Sequence, residues 1–165
     1  MYEIDEICKK YYSTVFKYLM SLTSDTDISE ELTQETFCIA IKEISKFKGK
    51  CALSTWLCVI AKHLYYNEIK KKTKFKVSEF NENDIQEISF EEKIILDEER
   101  IEVYKKLQDL DETTKNLIYL RLLGFSFKEI SKILEKSESW CKVVYHRGKK
   151  KLEKILKGGI TNEHK

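Results

Sequence analysis

The sequence contains no proline, and only five of its 165 residues are glycine. Strands and hairpins are usually bounded by these two residue types, so the chain offers few places where a sheet could turn. Apolar residues instead recur at spacings of three and four, which is the period of an amphipathic helix. We therefore predict an all-α protein. With 42% hydrophobic and 35% charged residues, the chain fits small helical domains with large polar surfaces.

The last third of the chain has the pattern of a helix-turn-helix. Gly124 ends one apolar segment, and Ser126 with Glu129 forms the reciprocal capping box that opens a new helix. A polar stretch at 135–139 interrupts the helical spacing and predicts a short turn. The apolar residues of the helix between these two points are Phe127, Ile130, Ile133 and Leu134.

The helix after this turn, capped by Ser137 or Ser139, is predicted to have an apolar back and a cationic front. A basic helix supported by a shorter one is suited to the major groove of DNA. Lysines are also common at helix ends, however, because cations favour the negative end of the helix dipole. The apolar face comprises Cys141, Val144, Tyr145, Gly148, Leu152 and Ile155, and the cationic face comprises Lys142, His146, Arg147, Lys149 and Lys150.

The net charge of +2 hides a strongly uneven distribution. Residues 61–76 contain six lysines and one acid, and residues 142–157 contain seven bases and one acid. Residues 77–99, between them, contain nine acids and one base. Since local charge is what meets phosphate, two separate basic segments are candidates for contact with nucleic acid.

Three further amphipathic helices are predicted at about residues 3–22, 27–44 and 54–72. Asp27 with Glu30 would cap the second helix, and Ser54 or Thr55 would begin the third. The residues of these two helices expected to face the core are Leu32, Phe37, Ala40, Ile41, Ile44, Leu57, Ile60, Ala61, Leu64 and Ile69. The second helix presents Glu31, Gln34, Glu35 and Lys42 outward.

These patterns divide the chain into two small helical bundles joined by a flexible acidic linker. The linker is predicted from composition alone, because it is polar and acidic and lacks clear periodicity. The boundaries are a first domain at 1–76, a linker at 77–93, a second domain at 94–157 and a disordered tail at 158–165.

Several classes of function are not expected. No signal peptide or membrane-spanning segment is evident, and the five cysteines fit reduced thiols in a cytoplasmic protein. Cys51, Cys58 and His63 lack the ligand spacing of a zinc finger, so no metal is expected. We find no catalytic or phosphate-binding motif and therefore expect no enzyme activity, cofactor or small-molecule substrate.

The order of motifs resembles the extracytoplasmic-function (ECF) type of the sigma-70 family of bacterial RNA polymerase initiation factors. Residues 27–37 are similar to the family signature D-x-E-D-L-T-Q-E-T-F. Residues 54–64 resemble its T-W-L-x-x-I-A-R-N-L segment, and Lys142, His146 and Arg147 match its basic recognition helix. The sequence departs from the family pattern at Asp111 and Ser137, where proline is usual, and at His63, where asparagine is preferred. In the recognition helix Trp140, Val143 and Val144 replace small or polar residues, and Gly148 replaces alanine.

The resemblance implies three interfaces and a set of partners. One helix face would dock on the coiled coil of the core polymerase clamp, and the two basic helices would contact promoter DNA at the −10 and −35 elements. An inhibitory anti-sigma factor, membrane-tethered in some cases, would regulate the chain. The implied residues are Glu31, Gln34 and Glu35 for core polymerase; Lys48, Lys50, Lys62, His63, Tyr66, Asn67, Lys70 and Lys71 for the −10 element; and Trp140, Lys142, Val143, His146, Arg147, Lys149 and Lys150 for the −35 element.

Two other functions remain open at this point. An ordinary helix-turn-helix regulator would bind duplex DNA without polymerase, but it would not account for the Gln34-Glu35 signature. An adaptor that binds only proteins would not account for the basic last helix. The acidic linker has two interpretations as well, since it could enter the nucleic-acid channel of polymerase or act as a plain tether.

Overall fold

The computed structural model describes residues 3–75 and 105–160. Within these residues the regular elements are all helical, which confirms the prediction of an all-α protein. A 3-10 turn follows the second helix at Ile44–Lys46, and residues 105–107 are also helical. The predicted linker at 77–93 lies outside the described residues. The helices are α1 (Ile4–Thr23), α2 (Thr26–Glu43), α3 (Leu53–Phe75), α4 (Glu112–Leu122), α5 (Phe127–Leu134) and α6 (Glu138–Ile160).

The chain forms two compact units. In the first unit α1, α2 and α3 pack against one another around a shared apolar core. Tyr12 of α1 stacks on Phe37 of α2, with ring centroids 6.0 Å apart. The ring centroids of Phe47 and of Trp56 of α3 are 5.1 Å apart. The buried core side chains of this unit are Val15, Tyr18, Leu19, Leu22, Leu32, Phe37, Ala40, Leu57, Cys58, Ala61 and Tyr65.

Buried hydroxyl groups form a second part of this core. The Thr33 hydroxyl donates to the Ser29 carbonyl at 2.6 Å, and the Thr36 hydroxyl donates to the Leu32 carbonyl at 2.7 Å. Each polar group is thereby satisfied within its own helix, so its burial leaves no unpaired donor. The buried face of α2 is therefore centred on small hydroxyl residues as well as on large apolar ones.

In the second unit α4 packs on α6 at very short range. The crossing lies at Gly148, where a Cβ atom would overlap Cγ2 of Thr114 and would lie 3.2 Å from Cδ1 of Ile118. Glycine is therefore required by the close approach of the helices rather than by backbone geometry. The surrounding cluster comprises Leu107, Leu110, Ile118, Tyr119, Tyr145, Leu152 and Ile155.

Most predicted helix starts are correct, and the exceptions have local causes. Ser126 and Glu129 form the predicted capping box, with nitrogen–oxygen distances of 2.7 and 3.2 Å. The α2 cap is wrong, because Asp25 rather than Asp27 accepts from the Ile28 amide, at 2.9 Å. Both acids lie in the same polar turn, and α2 begins two residues before the predicted cap would allow.

Two helices extend beyond the boundaries predicted from the sequence. The prediction starts the third helix at Ser54 or Thr55, but α3 already begins at Leu53, and Thr55 is buried. The predicted disordered tail at 158–165 is wrong for its first part, since α6 continues to Ile160. Residues 161–165 lie outside the described part of the chain.

Two predicted core residues are exposed. Ile41 is 40% exposed because the buried face of α2 is rotated toward Thr33 and Thr36. Ile69 is 37% exposed because it follows Tyr65, the last buried residue of α3, and lies beyond the packed part of that helix. Both side chains are consequently available at the surface of the first unit.

Candidate nucleic-acid and protein interfaces

The outer face of α2 carries the polar pair singled out in the sequence. Gln34 and Glu35 are exposed, and Glu31 lies one turn earlier on the same exposed face. Thr33 and Thr36 alternate with them but point into the core, where their hydroxyl groups are bonded to the helix backbone. The L-T-Q-E-T-F string thus separates into buried threonines that support the helix and exposed residues that are free to contact a partner.

Sequence analysis missed two members of this surface. Cys38 is exposed four positions after Gln34, and Ile41 is exposed seven positions after it. Positions separated by four and seven lie on one side of a helix. The outer face of α2 therefore combines acidic and amide groups with a thiol and an apolar side chain. Apolar spacing alone could not have shown this, because it assigned Ile41 to the core.

The basic face of α3 is formed by residues at helical spacing from His63 onward. His63, Tyr66, Asn67, Lys70 and Lys71 are all exposed. Tyr66 is the aromatic member, and its ring lies edge-on to Tyr65 at a centroid distance of 5.3 Å. Tyr65 itself is buried. Lys48 and Lys50, in the loop before α3, are also exposed.

Lys62 does not belong to this exposed face, which corrects the sequence prediction. Its side chain is only 6% exposed. The reason is helical spacing, because Lys62 lies between the buried residues Cys58 and Tyr65 on the inner stripe of α3. Lys62 would have to leave this position to reach a phosphate, so it is removed from the candidate DNA contacts.

The cationic front of α6 is separated cleanly from its apolar back. Cys141 and Gly148 are buried, and the other predicted back residues are partly buried. The front side chains are exposed, and they are Lys142, Val143, His146, Arg147, Lys149 and Lys150. Ser137 provides the predicted cap, since the Trp140 amide donates to its hydroxyl oxygen at 3.1 Å.

Arg121 of α4 joins the parts of the helix-turn-helix. Its guanidinium donates to the Phe125 carbonyl at 2.8 Å and lies 4.6 Å from the ring centroid of Phe127. The Tyr145 ring of α6 lies 5.7 Å from the same group and 5.5 Å from Phe127. One cation thus contacts the turn, the first residue of α5 and the back of α6. Only the packing reveals this role.

The start of α6 has two further contacts. Lys142 forms an ion pair with Glu138 at 3.1 Å, one helical turn away. Trp140 is half-buried, and the Lys136 ammonium lies 5.4 Å from its ring centroid. Lys136 therefore adds a cation beside Trp140 that the sequence analysis did not include.

The cysteines do not form a metal site in the described part of the chain. All five are free thiols. Burial raises the pKa of the Cys58 thiol to about 12, so this group stays protonated at neutral pH and is a poor metal ligand. Among residues 3–75 and 105–160, no three histidine, cysteine or acidic side chains converge as a metal site would require.

Over the same residues, no helix is both long and apolar enough to cross a membrane.

Comparison with known proteins matches both units to one family. The model of sigma-70 region 2 matches residues 7–75, and the model of sigma-70 region 4 matches residues 100–152. The first match contains α2 with its exposed polar pair, and the second contains the helix-turn-helix. The two matched regions define a sigma factor, the class of protein that acts as a transcription initiation factor.

Full-length relatives agree with this assignment. The RNA polymerase sigma factor YlaC of Bacillus subtilis is 25% identical over 160 residues, which is 93% of this chain and 91% of the relative. The ECF RNA polymerase sigma factor SigM of the same organism is 27% identical over 168 residues, covering 97% of this chain and 99% of the relative. This chain belongs to the sigma-70 family and is of its ECF type.

Solved structures show the same fold. The sigma factor RpoE of Bartonella quintana, crystallised with the anti-sigma factor NepR, is 21% identical with a TM-score of 0.72, and the alignment covers 93% of this chain and 96% of that one. CnrH, in complex with the cytosolic domain of CnrY, is 14% identical with a TM-score of 0.67, over 94% and 88% of the two chains.

Proposed function

We propose that this ECF sigma factor binds core RNA polymerase through α2 and recognises promoter DNA through α3 and α6. The observation that carries the proposal is that both sigma-70 regions occur in one chain, each with an exposed charged helix face. We assign residues 1–76 to core and −10 binding, and residues 94–157 to −35 binding. The acidic segment 77–93 connects these two domains.

The core-binding face comprises Glu31, Gln34 and Glu35, and Ile41 extends it. These side chains are exposed on one side of α2, which suits docking against a helical coiled coil of the polymerase clamp. Polar residues would set the register of the two helices, while burial of Ile41 would contribute apolar area. The buried threonines allow the outer residues to be replaced without loss of the fold.

The −10 element would be bound by α3 and by Lys48 and Lys50 in the preceding loop. The α3 contacts are His63, Tyr66, Asn67, Lys70 and Lys71. Cations track the phosphates, and the exposed Tyr66 ring offers a surface on which an unpaired base can stack. A single-stranded −10 element fits this combination better than duplex does, since an aromatic face has no access to stacked bases.

The −35 element would lie as duplex against the front of α6. We assign Arg147, His146 and Val143 to base edges, and Lys149 and Lys150 to the phosphate backbone. Trp140 and Lys142 flank the same surface. Phosphate contacts position the helix, and base contacts supply specificity. An arginine that makes two bonds to guanine contributes about 1–3 kcal/mol of discrimination.

Promoter-directed transcription with purified core polymerase tests the proposal. We expect the wild-type chain to support initiation from a selected promoter, and the double variant Gln34→Ala, Glu35→Lys to lose affinity for core while retaining its helical content. Lys17→Ala, at an exposed position of α1, serves as the control. Core affinity equal to wild type in the double variant would contradict the assignment of this face.

The same assay separates the rival functions. A helix-turn-helix regulator would bind duplex DNA equally well without core polymerase, and an adaptor would not support specific initiation. Transcription that depends on both the core and the promoter sequence is expected only of a sigma factor.

Regulation by an anti-sigma factor is part of the proposal. Two solved structures of the same fold, those of RpoE and CnrH, are complexes with the anti-sigma factor NepR and with the cytosolic domain of CnrY. This chain presents two surfaces that an inhibitor would have to cover, one on α2 and one on α6. Binding both at once through a short linker raises avidity by about 100- to 10,000-fold. A membrane-tethered inhibitor would hold the otherwise cytoplasmic chain at the membrane.

This mechanism predicts which surfaces the inhibitor protects. In hydrogen-exchange or footprinting experiments, we expect protection of the face bearing Gln34 and Glu35 and of the second domain together. An inhibitor complex that leaves both α2 and α6 accessible to polymerase and promoter would contradict it.

A further inference from the structure

An apolar side chain lies at the centre of the cationic face of α6. Val143 is 48% exposed and lies on the opposite side of the helix from the buried Cys141 and Gly148. His146 and Arg147, three and four positions later, are its neighbours at helical spacing, and both are exposed. Among cations and polar groups, this valine is the member that offers no charge and no hydrogen bond.

The position of Val143 differs from that of an ordinary core residue. Apolar residues needed for packing on α6 occupy the opposite stripe, where they meet α4 and its neighbours. Val143 is not part of that cluster, so only a bound ligand could bury its side chain. When this face approaches DNA, the side chain gains from burial only if it meets an apolar group in the groove.

The chemistry of the major groove restricts which base can contact this valine. Guanine, adenine and cytosine present hydrogen-bond donors and acceptors there, whereas thymine also presents its C5-methyl group. This methyl is the one apolar group on the base edges, and a valine is a suitable contact for it. A phosphate, or any other base edge, would gain nothing from valine and would lose hydration.

We propose that Val143 is a specificity residue that reads the methyl group of a thymine in the −35 element. The inference rests on the proposed function and adds the identity of one base contact. The neighbouring Arg147 is placed to bond an adjacent base pair, so the element should contain a thymine next to the base pair that this arginine reads. Lys149 and Lys150 would hold the backbone without affecting this choice.

The size of the effect follows from the area involved. Burying one methyl group is worth about 0.8 kcal/mol, which corresponds to about fourfold in affinity. Removing the thymine methyl should therefore weaken binding about fourfold at one base pair. Replacing Val143 by alanine should produce a similar loss on thymine-containing DNA and little on DNA that lacks the methyl.

The experiment uses the full chain assembled with core polymerase. The preferred −35 sequence is first selected from a promoter library randomised in that element. Each thymine in either strand is then replaced, one at a time, by deoxyuridine, which lacks only the C5-methyl group, and affinity is measured for every duplex. We expect about a fourfold loss at one position for wild type, and no loss at that position for Val143→Ala.

Two matched variants act as controls. Val143→Ile retains an apolar contact and should keep the preference for thymine over deoxyuridine. Lys149→Ala should weaken binding to every duplex about equally and leave the preference unchanged. Circular dichroism of Val143→Ala should match that of wild type, because the side chain is outside the core.

The outcomes separate this inference from the function on which it rests. If the selected element tolerates deoxyuridine at every position, or if Val143→Ala keeps the same preference as wild type, the methyl contact is refuted while promoter recognition stands. If selection returns no preferred sequence, the assignment of α6 to the −35 element fails, and the methyl contact fails with it.

Discussion

The two basic helices, α3 and α6, have the same length of 23 residues but are held in different ways. α3 is fixed by a long buried stripe that includes Leu57, Ala61 and even Lys62. α6 also has an apolar back, with Tyr145, Leu152 and Ile155 packed on the second-unit cluster, but its placement depends in addition on two localised features, the Arg121 contacts and the close approach at Gly148.

A similar charge pattern can thus rest on a continuous buried stripe alone, or on such a stripe together with a few localised contacts. Truncation of one apolar side chain along α3 leaves the rest of its stripe in place, whereas loss of Arg121 or overfilling at Gly148 should change the orientation of α6 as a whole. Single substitutions that reorient a basic helix should therefore lie in the second unit. Four predictions test this comparison.

The largest effect is expected for Arg121→Met. The variant loses a charged hydrogen bond to the Phe125 carbonyl and the stacking on two aromatic rings, which together should lower the free energy of unfolding by about 2–4 kcal/mol. Arg147→Met, on the exposed face, should change it by less than about 0.5 kcal/mol. Urea denaturation measures both. Equal stability of the two variants would mean that the Arg121 contacts do not support α6.

The second prediction concerns the space at Gly148. A methyl group there would overlap Thr114, and the resulting strain should exceed the gain in helix propensity, so Gly148→Ala is expected to lose about 1–2 kcal/mol of stability. Thr114→Ser removes the conflicting Cγ2 atom but keeps the hydroxyl. In that background Gly148→Ala should cost much less, because only the 3.2 Å approach to Cδ1 of Ile118 remains. Destabilisation of the same size in both backgrounds, measured by thermal unfolding, would rule out this contact as the cause.

The third prediction concerns Asp111, which caps α4. Its carboxylate accepts from the Thr114 hydroxyl at 2.7 Å and from the Thr114 amide at 3.0 Å, and the hydroxyl bond holds the pKa of Asp111 below its usual value of 3.8. A lowered folded-state pKa adds stability above the unfolded value, and this stability is lost as the pH falls through the folded value.

Asp111→Ala should therefore cost about 1 kcal/mol near pH 7 and progressively less below pH 3.8. Asp111→Asn can still cap the helix through its amide oxygen, and its smaller cost should not change over the same acidic range. Denaturant titrations at several pH values provide the test. A cost of Asp111→Ala that grows as the pH falls would have the wrong sign for a carboxylate cap.

The smallest effect is expected on α3 and distinguishes its exposed and buried lysines. Lys70→Ala should reduce the salt dependence of binding to single-stranded −10 DNA by about 0.7 in log–log slope, the value for one phosphate contact. Lys62→Met should leave that slope unchanged, because Lys62 is buried. A reduced slope for Lys62→Met alone would show that this lysine leaves the core to bind DNA.

Local patterns in the sequence predicted the fold well. The capping box at Ser126 and Glu129 was predictable because both partners lie within one helical turn. The choice between Asp25 and Asp27 was not, since both residues lie in the same polar turn. The burial of Thr33 and Thr36 was missed because a hydroxyl that bonds to its own helix behaves as an interior group, which residue type does not reveal.

The candidate interfaces were predicted less completely. The front of α6 followed from spacing, because its apolar back was continuous. Lys62 was assigned to the surface from its charge, although its spacing from Cys58 and Tyr65 places it inside. The role of Arg121 depends on contacts with three different segments, so no local pattern could have given it.

The exposed thiol on the outer face of α2 has a practical consequence. Cys38 is exposed, whereas Cys58 and Cys141 are buried and burial raises the pKa of both thiols. A maleimide dye should therefore react faster with Cys38 than with these two thiols. Attached four positions from Gln34, it would act as an optical reporter of polymerase docking. With Cys8 and Cys51 changed to serine, the natural chain supplies its own labelling site where a partner is expected to bind.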